Sequence, residues 1–376
     1  MGRSLTRFLV GCVAAAGGTP GLPERFSLRW EEGAITGIGD LRQRPGEEVV
    51  DLAGAFLVPG LVDSHVHLAL GAVAAQGAVS AAGLHLEAGV TAVRDLGGGG
   101  RCADEGRCED RLAGASGGIR GPRIVSSGGS FTRRGRYGAF LGTALDPGDD
   151  LAAAVRGRAE AGAEVIKVIL TGSVDFERGV ADPPHFSLSE LRQMIEAAHS
   201  VGLPVAVHAN GGAAIRMAAE AGADSVEHGI LCDEAALEAL ATCECAWVPT
   251  LTPLYALTSF GRWPSLPRIT AAHEEMVRRG HEAGVRIAAG TDAGSPGVPH
   301  GSLLVEIALL RRAGLSPAAA REAAVGVGAE LLGLPDGYGR LAVGAVTDLV
   351  WFESDPFDRT SPEAATGIRP VGVLCT

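Results

Sequence analysis

Between residues 60 and 291 the sequence repeats one unit, a short β-branched run followed by a longer Ala-, Leu- and Glu-rich amphipathic stretch. Neighbouring strands that run in the same direction need a crossover of about a dozen residues or more, and a helix is the usual one. Eight such runs can be read, at 60–64, 91–95, 123–127, 165–170, 204–208, 225–228, 246–249 and 286–291. Eight parallel strands are what closes a barrel whose interior is filled by side chains, so the repeat predicts a (β/α)8 TIM barrel of the α/β class. The intervening helices carry their own signals. Ser187 with Glu190 three residues on is a capping box, and 213–221 is a run of helix formers ending at Gly222.

The 376 residues exceed the roughly 250 that a barrel needs. The surplus lies at the two ends and reads as short strands punctuated by Gly and Pro, at 8–13, 26–30, 34–38, 49–51, 346–352 and 371–374. The expected organisation is therefore a barrel over 58–338 and a small β-sandwich domain built from 1–57 and 339–376. Residues Leu9-Val10-Gly11-Cys12 resemble a lipoprotein cleavage site, but the apolar stretch before them is too short, and 8–16 is read as a first strand.

Composition narrows the partners. No apolar run approaches the ~20 residues that cross a bilayer, so no membrane partner is expected. A formal net charge of -12 opposes a phosphate backbone, which excludes nucleic acid as a partner. The seven cysteines show no CxxC pair, which fits a reducing cytoplasm better than a disulfide framework. A small-molecule substrate is the expected partner, and a homo-oligomer is compatible with the sequence.

His65 and His67 end the first run two residues apart, so in extended backbone both project to one side and can share a metal ion. A His-x-His pair alone is weak evidence. Its weight comes from position, since His208 closes the fifth run, His228 closes the sixth and Asp292 follows the eighth. All sit at the C-terminal ends of strands, the face on which barrel enzymes assemble their active sites. Lys167 lies inside a strand that is apolar on both sides, where alternation groups it with Val165 and Ile169 towards the barrel interior. A buried ammonium is paired, shifted in pKa or modified. A deprotonated amine can add CO₂ to give a carbamate with two oxygens able to bridge metals.

These residues carry a resemblance. The segment Val58-Pro-Gly-Leu-Val-Asp-Ser-His65-Val-His67 resembles the opening signature of the amidohydrolase superfamily. Six further segments look like its imidazolonepropionase-related, prolidase-like branch: 89–97, 121–124, 205–209, 221–229, 249–251 and Gly290-Thr-Asp292-Ala. The resemblance implies two divalent metal ions, zinc by default. His65 and His67 with Asp292 would hold the more buried ion, His208 and His228 the second, and carboxylated Lys167 would bridge them. It further implies hydrolysis of a C–N bond by metal-activated water, with Asp292 as general base and acid and His228 or Tyr137 hydrogen-bonding the developing oxyanion. Cyclic amidases, deaminases and a non-catalytic metal-binding barrel are the alternatives.

Substrate contacts are expected from Arg136 and Tyr137, which could take a carboxylate, and from Asn210 and His300. Three positions depart from the dipeptidase-like pattern. Arg134-Gly-Arg136-Tyr137-Gly stands where Gly-Gly-His is usual, Asn210 replaces an aromatic residue, and Val325 ends a usual Ala-Ala-Thr. The first two fall where the substrate would lie and put peptide specificity in question.

Overall fold

The computed structural model describes residues 6–15, 21–71, 77–98, 121–346 and 348–375. Cys102, Cys108 and most of the 97–121 segment lie outside the described residues.

Among the described residues five strands come first: β1 (Thr6–Ala14), β2 (Arg25–Glu31), β3 (Ala34–Gly39), β4 (Glu48–Asp51) and β5 (Phe56–Pro59). The stretch read as a strand from residue 8 falls on β1 as far as Ala14. Two more strands, β15 (Leu349–Phe352) and β16 (Gly372–Leu374), come from the other end and join them in one seven-stranded sheet of order β16-β15-β5-β1-β2-β3, with β4 also on β1. β15 pairs antiparallel with β5, so the two chain ends are hydrogen-bonded to each other. One edge of β1 is shared, with β4 along Arg7 to Val10 and β5 at Val13 and Ala14. Gly11 sits at the break between the two. Its φ of +69° and the 2.9 Å that would separate a Cβ from Asp51 Oδ1 both require glycine there. The expected sandwich thus takes the form of one divided sheet, packed around Leu9, Leu28, Leu57 and Leu349.

Among the described residues the middle of the chain holds nine strands: β6 (Leu61–Val66), β7 (Val90–Asp95), β8 (Arg123–Ser126), β9 (Ser130–Arg133), β10 (Gly142–Leu145), β11 (Ile166–Ile169), β12 (Val205–Ala209), β13 (Ser225–His228) and β14 (Ala246–Val248). They form parallel sheets of order β6-β7-β8 and β10-β9-β11-β12-β13-β14. Seven of the eight expected runs are strands. β9 and β10 are not expected from the sequence, because a four-residue strand gives no period to read.

The eighth run, 286–291, is a correction: it forms no regular strand, only an isolated bridge from Ile287 to Trp247. Its backbone is still paired on both sides. Trp247 N donates to Arg286 O at 2.8 Å and Ala288 N to Trp247 O at 2.9 Å, while Ser64 N donates to Ala289 O at 2.9 Å and Asp292 N to His65 O at 2.8 Å. The segment therefore ties β14, the edge of one parallel sheet, to β6, the edge of the other. The Asp63 carboxylate reinforces this by accepting from Thr291 N at 3.0 Å and Thr291 Oγ1 at 2.7 Å. Just past the run, Asp292 turns into the left-handed region with φ 56°.

The helix Leu188–His199 starts in the expected capping box, Ser187 accepting from Glu190 N and the Glu190 side chain from Ser187 N. It buries Leu191, Met194, Ile195 and Ala198, the stripe that a 3.6-residue period places on one face. Each large side chain buried this way contributes about 1.5–3 kcal/mol. The helix Gly212–Ala221 ends at Gly222, whose φ of 93° gives the left-handed cap. Among the described residues no helix is long and apolar enough to cross a membrane.

Candidate metal centre

β6 carries His65 and delivers His67 one residue past its end; the 286–293 segment brings Asp292 against both. Asp292 Oδ1 stands 3.1 Å from His67 Nε2 and 3.6 Å from His65 Nε2, and the two Nε2 atoms are 3.3 Å apart. One donor atom from each of the three lies within 4.8 Å of the others, a spacing that fits a shared cation. Gly290 permits the approach, since a Cβ there would lie 2.5 Å from Val248 Cγ1 and 2.9 Å from His65 Cβ.

The outer nitrogens of these rings are already engaged. His65 Nδ1 meets Glu227 Oε2 at 2.7 Å, His67 Nδ1 meets Gly97 O at 2.5 Å, and His228 Nδ1 meets Thr250 Oγ1 at 2.7 Å. A carbonyl or carboxylate only accepts, so Nδ1 of His65 and of His67 carries the proton and Nε2 keeps its lone pair. Glu227 in turn accepts from Arg94 Nη2 at 2.8 Å and Ser225 Oγ at 2.6 Å, and Arg94 Nε donates to Ser64 O at 2.7 Å. All of these side chains are buried. The sequence reading passed over Glu227 and Arg94. Their signal was two opposite charges in the middle of the apolar runs 225–228 and 91–95.

Burial, with the Lys167 charge next, drives His65 well below the ordinary imidazole range. Burial and then the His208 and His65 rings do the same for His228, and burial with Lys167 takes His208 to about 3. Neutral rings are the form that ligates metals. His67 is the exception: burial lowers it, but the hydrogen bond and charge of Asp292 outweigh burial and raise it.

His208 and His228 stand beside the three-residue group. Their ring centroids are 4.5 Å apart, and His228 is 4.9 Å from His65. His208 Nε2 faces Gly172 O at 3.3 Å and Asn210 Nδ2 at 3.2 Å. Lys167, on β11, is 1% exposed, and its Nζ has no hydrogen-bond partner among the described residues. Desolvation pulls its pKa down to about 8, against the opposing pull of Glu227. Three non-glycine residues here hold left-handed backbone: His228 at φ 65°, Thr250 at 46° and Asp292 at 56°. Each costs on the order of 1–3 kcal/mol, and such strain concentrates at functional sites. At His228 the kink ends β13.

These side chains floor a cavity of about 530 Å³, which Tyr137 and Asn210 also line. Tyr137 is 38% exposed, with its ring 5.8 Å from that of His208. Burial, then the charge of Asp292, pushes its phenol up to about 12. Asn210 is buried and braced, Oδ1 accepting from Ile230 N at 3.0 Å. Arg136 and His300 are placed elsewhere. Arg136 is exposed and does not line the cavity. His300 turns to Leu70 O at 3.1 Å and His85 Nε2 at 3.2 Å, a buried pairing against the wall behind the site.

Comparison with known proteins identifies the family. A family model for the amidohydrolase family matches residues 56–371. Ochratoxinase from Aspergillus niger is 29% identical over 371 residues, covering 85% of this chain and 75% of that protein. Imidazolonepropionase from Salinispora arenicola is 28% identical over 375 residues, covering 91% and 89%. Among solved structures, a Xaa-Pro dipeptidase with bound methionine in the active site is 28% identical, with a TM-score of 0.78 over 94% of this chain and 95% of that one. Divalent metals are general in that superfamily, and the matched span runs from the strand of His65 to beyond Asp292. On these grounds the chain belongs to the amidohydrolase family and is an enzyme acting on carbon–nitrogen bonds.

Proposed function

We propose that this enzyme hydrolyses an amide-type C–N bond of a small molecule at a centre for two divalent cations, most simply zinc. The observation that carries the reading is Lys167: a buried amine without a hydrogen-bond partner among the described residues, lining the same cavity as the converged His65, His67 and Asp292. Such an amine is an unstable choice for a protein interior unless it is used. As a carbamate it would become an anion that meets two cations, relieving its isolation. The donor set fits. His65 and His67 with Asp292 would hold one ion, His208 and His228 the other, and Lys167 would join them. When bound, the cations would supply Lewis acidity towards a carbonyl and lower the pKa of water from 15.7 towards about 7.

The remaining steps belong to side chains. Asp292 accepts a proton from the attacking water and passes it to the departing nitrogen, the exchange its half-buried carboxylate can make without rearrangement. Tyr137, kept protonated by its raised pKa, can donate to the oxygen on which charge develops. His228 is the other candidate for that contact. Glu227 and Gly97 O fix the tautomers of His65 and His67 throughout.

The bonds that 286–293 makes to Trp247 and to β6 support a closed (β/α)8 barrel over 58–338, with 1–57 and 339–376 as its companion β domain. Seven cysteines without a CxxC pair support a cytoplasmic setting. The test is turnover by the zinc-loaded wild type and Asp292→Asn across N-acyl amides, dipeptides, lactams and ring amines. Release of an amine from acyclic amides, lost by at least about a hundredfold in the variant, is expected. Ammonia from ring amines alone, or ring opening of lactams alone, would replace this reading by deamination or cyclic amidase activity.

A further inference from the structure

One wall of the cavity is built differently from the floor. Val174 and Phe176 come from the loop after β11, Ile230 from the end of β13, Leu254 and Leu257 from the helix Leu251–Ser259, and Trp263 from the turn that follows it. Val174, Ile230 and Leu254 are buried in a cluster with Leu266 and Ile269, and Phe176, Leu257 and Trp263 pack on that cluster while staying partly exposed. The two rings stand 5.7 Å apart at 56°, within the range in which aromatic pairs attract.

The wall is also latched. Asp175 accepts from Glu177 N and Arg178 N, each at 3.0 Å, which fixes the turn that presents Phe176. Ser265 Oγ donates to Phe176 O, joining the Phe176 loop to the Trp263 turn. The Arg262 guanidinium lies 5.0 Å from the Trp263 ring centroid and helps hold the indole in place. A preformed, partly exposed apolar surface that is continuous with a catalytic floor gains most by receiving an apolar part of the substrate. Asp175 and Glu177 line the same stretch, and their carboxylates oppose an anionic group there.

We infer that the wall of Phe176, Trp263, Leu254, Leu257, Ile230 and Val174 is a specificity subsite for a neutral, flat apolar ring carried on one side of the scissile bond. The inference deepens the metal-centred reading above and rests on it. The preferred substrate is then an uncharged aryl or aralkyl amide, not a compound with only small or charged groups on both sides.

Hydroxamates separate the two claims, because the hydroxamate head reports the metals and the tail reports the wall. Calorimetric affinities of the zinc-loaded protein are compared for acetohydroxamic acid and for phenyl hydroxamates with zero, one and two methylene spacers. At least one phenyl compound is expected to bind roughly tenfold or more tighter than acetohydroxamate. That gain should shrink to about threefold or less in Trp263→Ala or Phe176→Ala, with acetohydroxamate affinity unchanged. Phenyl compounds no tighter than acetohydroxamate on the wild type, a comparison that needs no variant to fold, would overturn the subsite alone. A gain untouched by both variants would also overturn it, placing the ring elsewhere. Absence of binding by every hydroxamate would remove the metal reading and this inference with it.

Discussion

His65 donates from Nδ1 to Glu227 at 2.7 Å, and the other oxygen of that carboxylate holds Arg94 at 2.8 Å. The contact links β6, β7 and β13 through one buried carboxylate and leaves His65 Nε2 aimed at Asp292. Removing the carboxylate charge should therefore act on the metal through His65. Glu227→Gln is expected to weaken metal affinity and kcat/KM by roughly 10–100-fold with the fold retained. Glu227→Ala, which strands the Arg94 cation, should cost about 3–5 kcal/mol of stability as well. Metal titrations and urea melts of both variants check this; unchanged metal affinity in Glu227→Gln would contradict the positioning role.

Lys167 makes opposite demands on stability and activity. In the metal-free protein its folded pKa of about 8 lies below 10.5, so the unfolded chain holds the proton more tightly. The resulting destabilisation is complete below pH 8 and fades as pH rises to 10.5. Lys167→Met should accordingly raise the stability of the chelator-treated protein at pH 7, on the order of 1–3 kcal/mol, with the gain vanishing by about pH 10.5. The same variant should bind fewer metal ions and lose activity. Denaturation of both proteins across that pH range, with metal counting, provides the check.

Gly290 brings the 286–293 segment against His65. A methyl group there would meet Val248 and His65 closer than real Cβ contacts allow. Gly290→Ala is expected to cost about 1–3 kcal/mol and to lower metal affinity by displacing His65. Thermal melts with and without zinc should show a smaller zinc-induced stabilisation than in the wild type.

Glu306 gives a pH signature away from the metals. It is buried, and accepts from Leu251 N at 2.9 Å and from Thr252 N and Oγ1 at 2.8 and 2.6 Å, capping the helix next to Thr250. Burial outweighs these donors and raises its pKa from 4.5 to about 7. The folded state then binds the proton more tightly, so this group's contribution to stability falls as pH rises from about 4.5 to 7. In Glu306→Gln that slope should disappear, a difference readable from urea midpoints at pH 5, 6 and 7.

Seven strands and the residues at their ends were legible because β-branched runs, capping signals and His-x-His spacing are local patterns. The divided edge of β1, the irregular eighth segment and the short β9 and β10 were not, since each depends on partners distant in sequence. The same limit applies to the site. His65, His67 and Asp292 could be grouped from strand ends alone, but Glu227 could not, because strand alternation sets it opposite its neighbour His228 until the left-handed turn at that residue is known. Arg136 and His300 were expected near substrate from chain position, and loop conformation places both outside the cavity lining.

The most direct test of the two-cation centre is plasma mass spectrometry of the purified protein, paired with activity before and after chelation. About two divalent ions per chain are expected, with loss of amide hydrolysis on their removal and recovery on adding zinc with bicarbonate. Full hydrolytic activity in protein carrying no metal would contradict it.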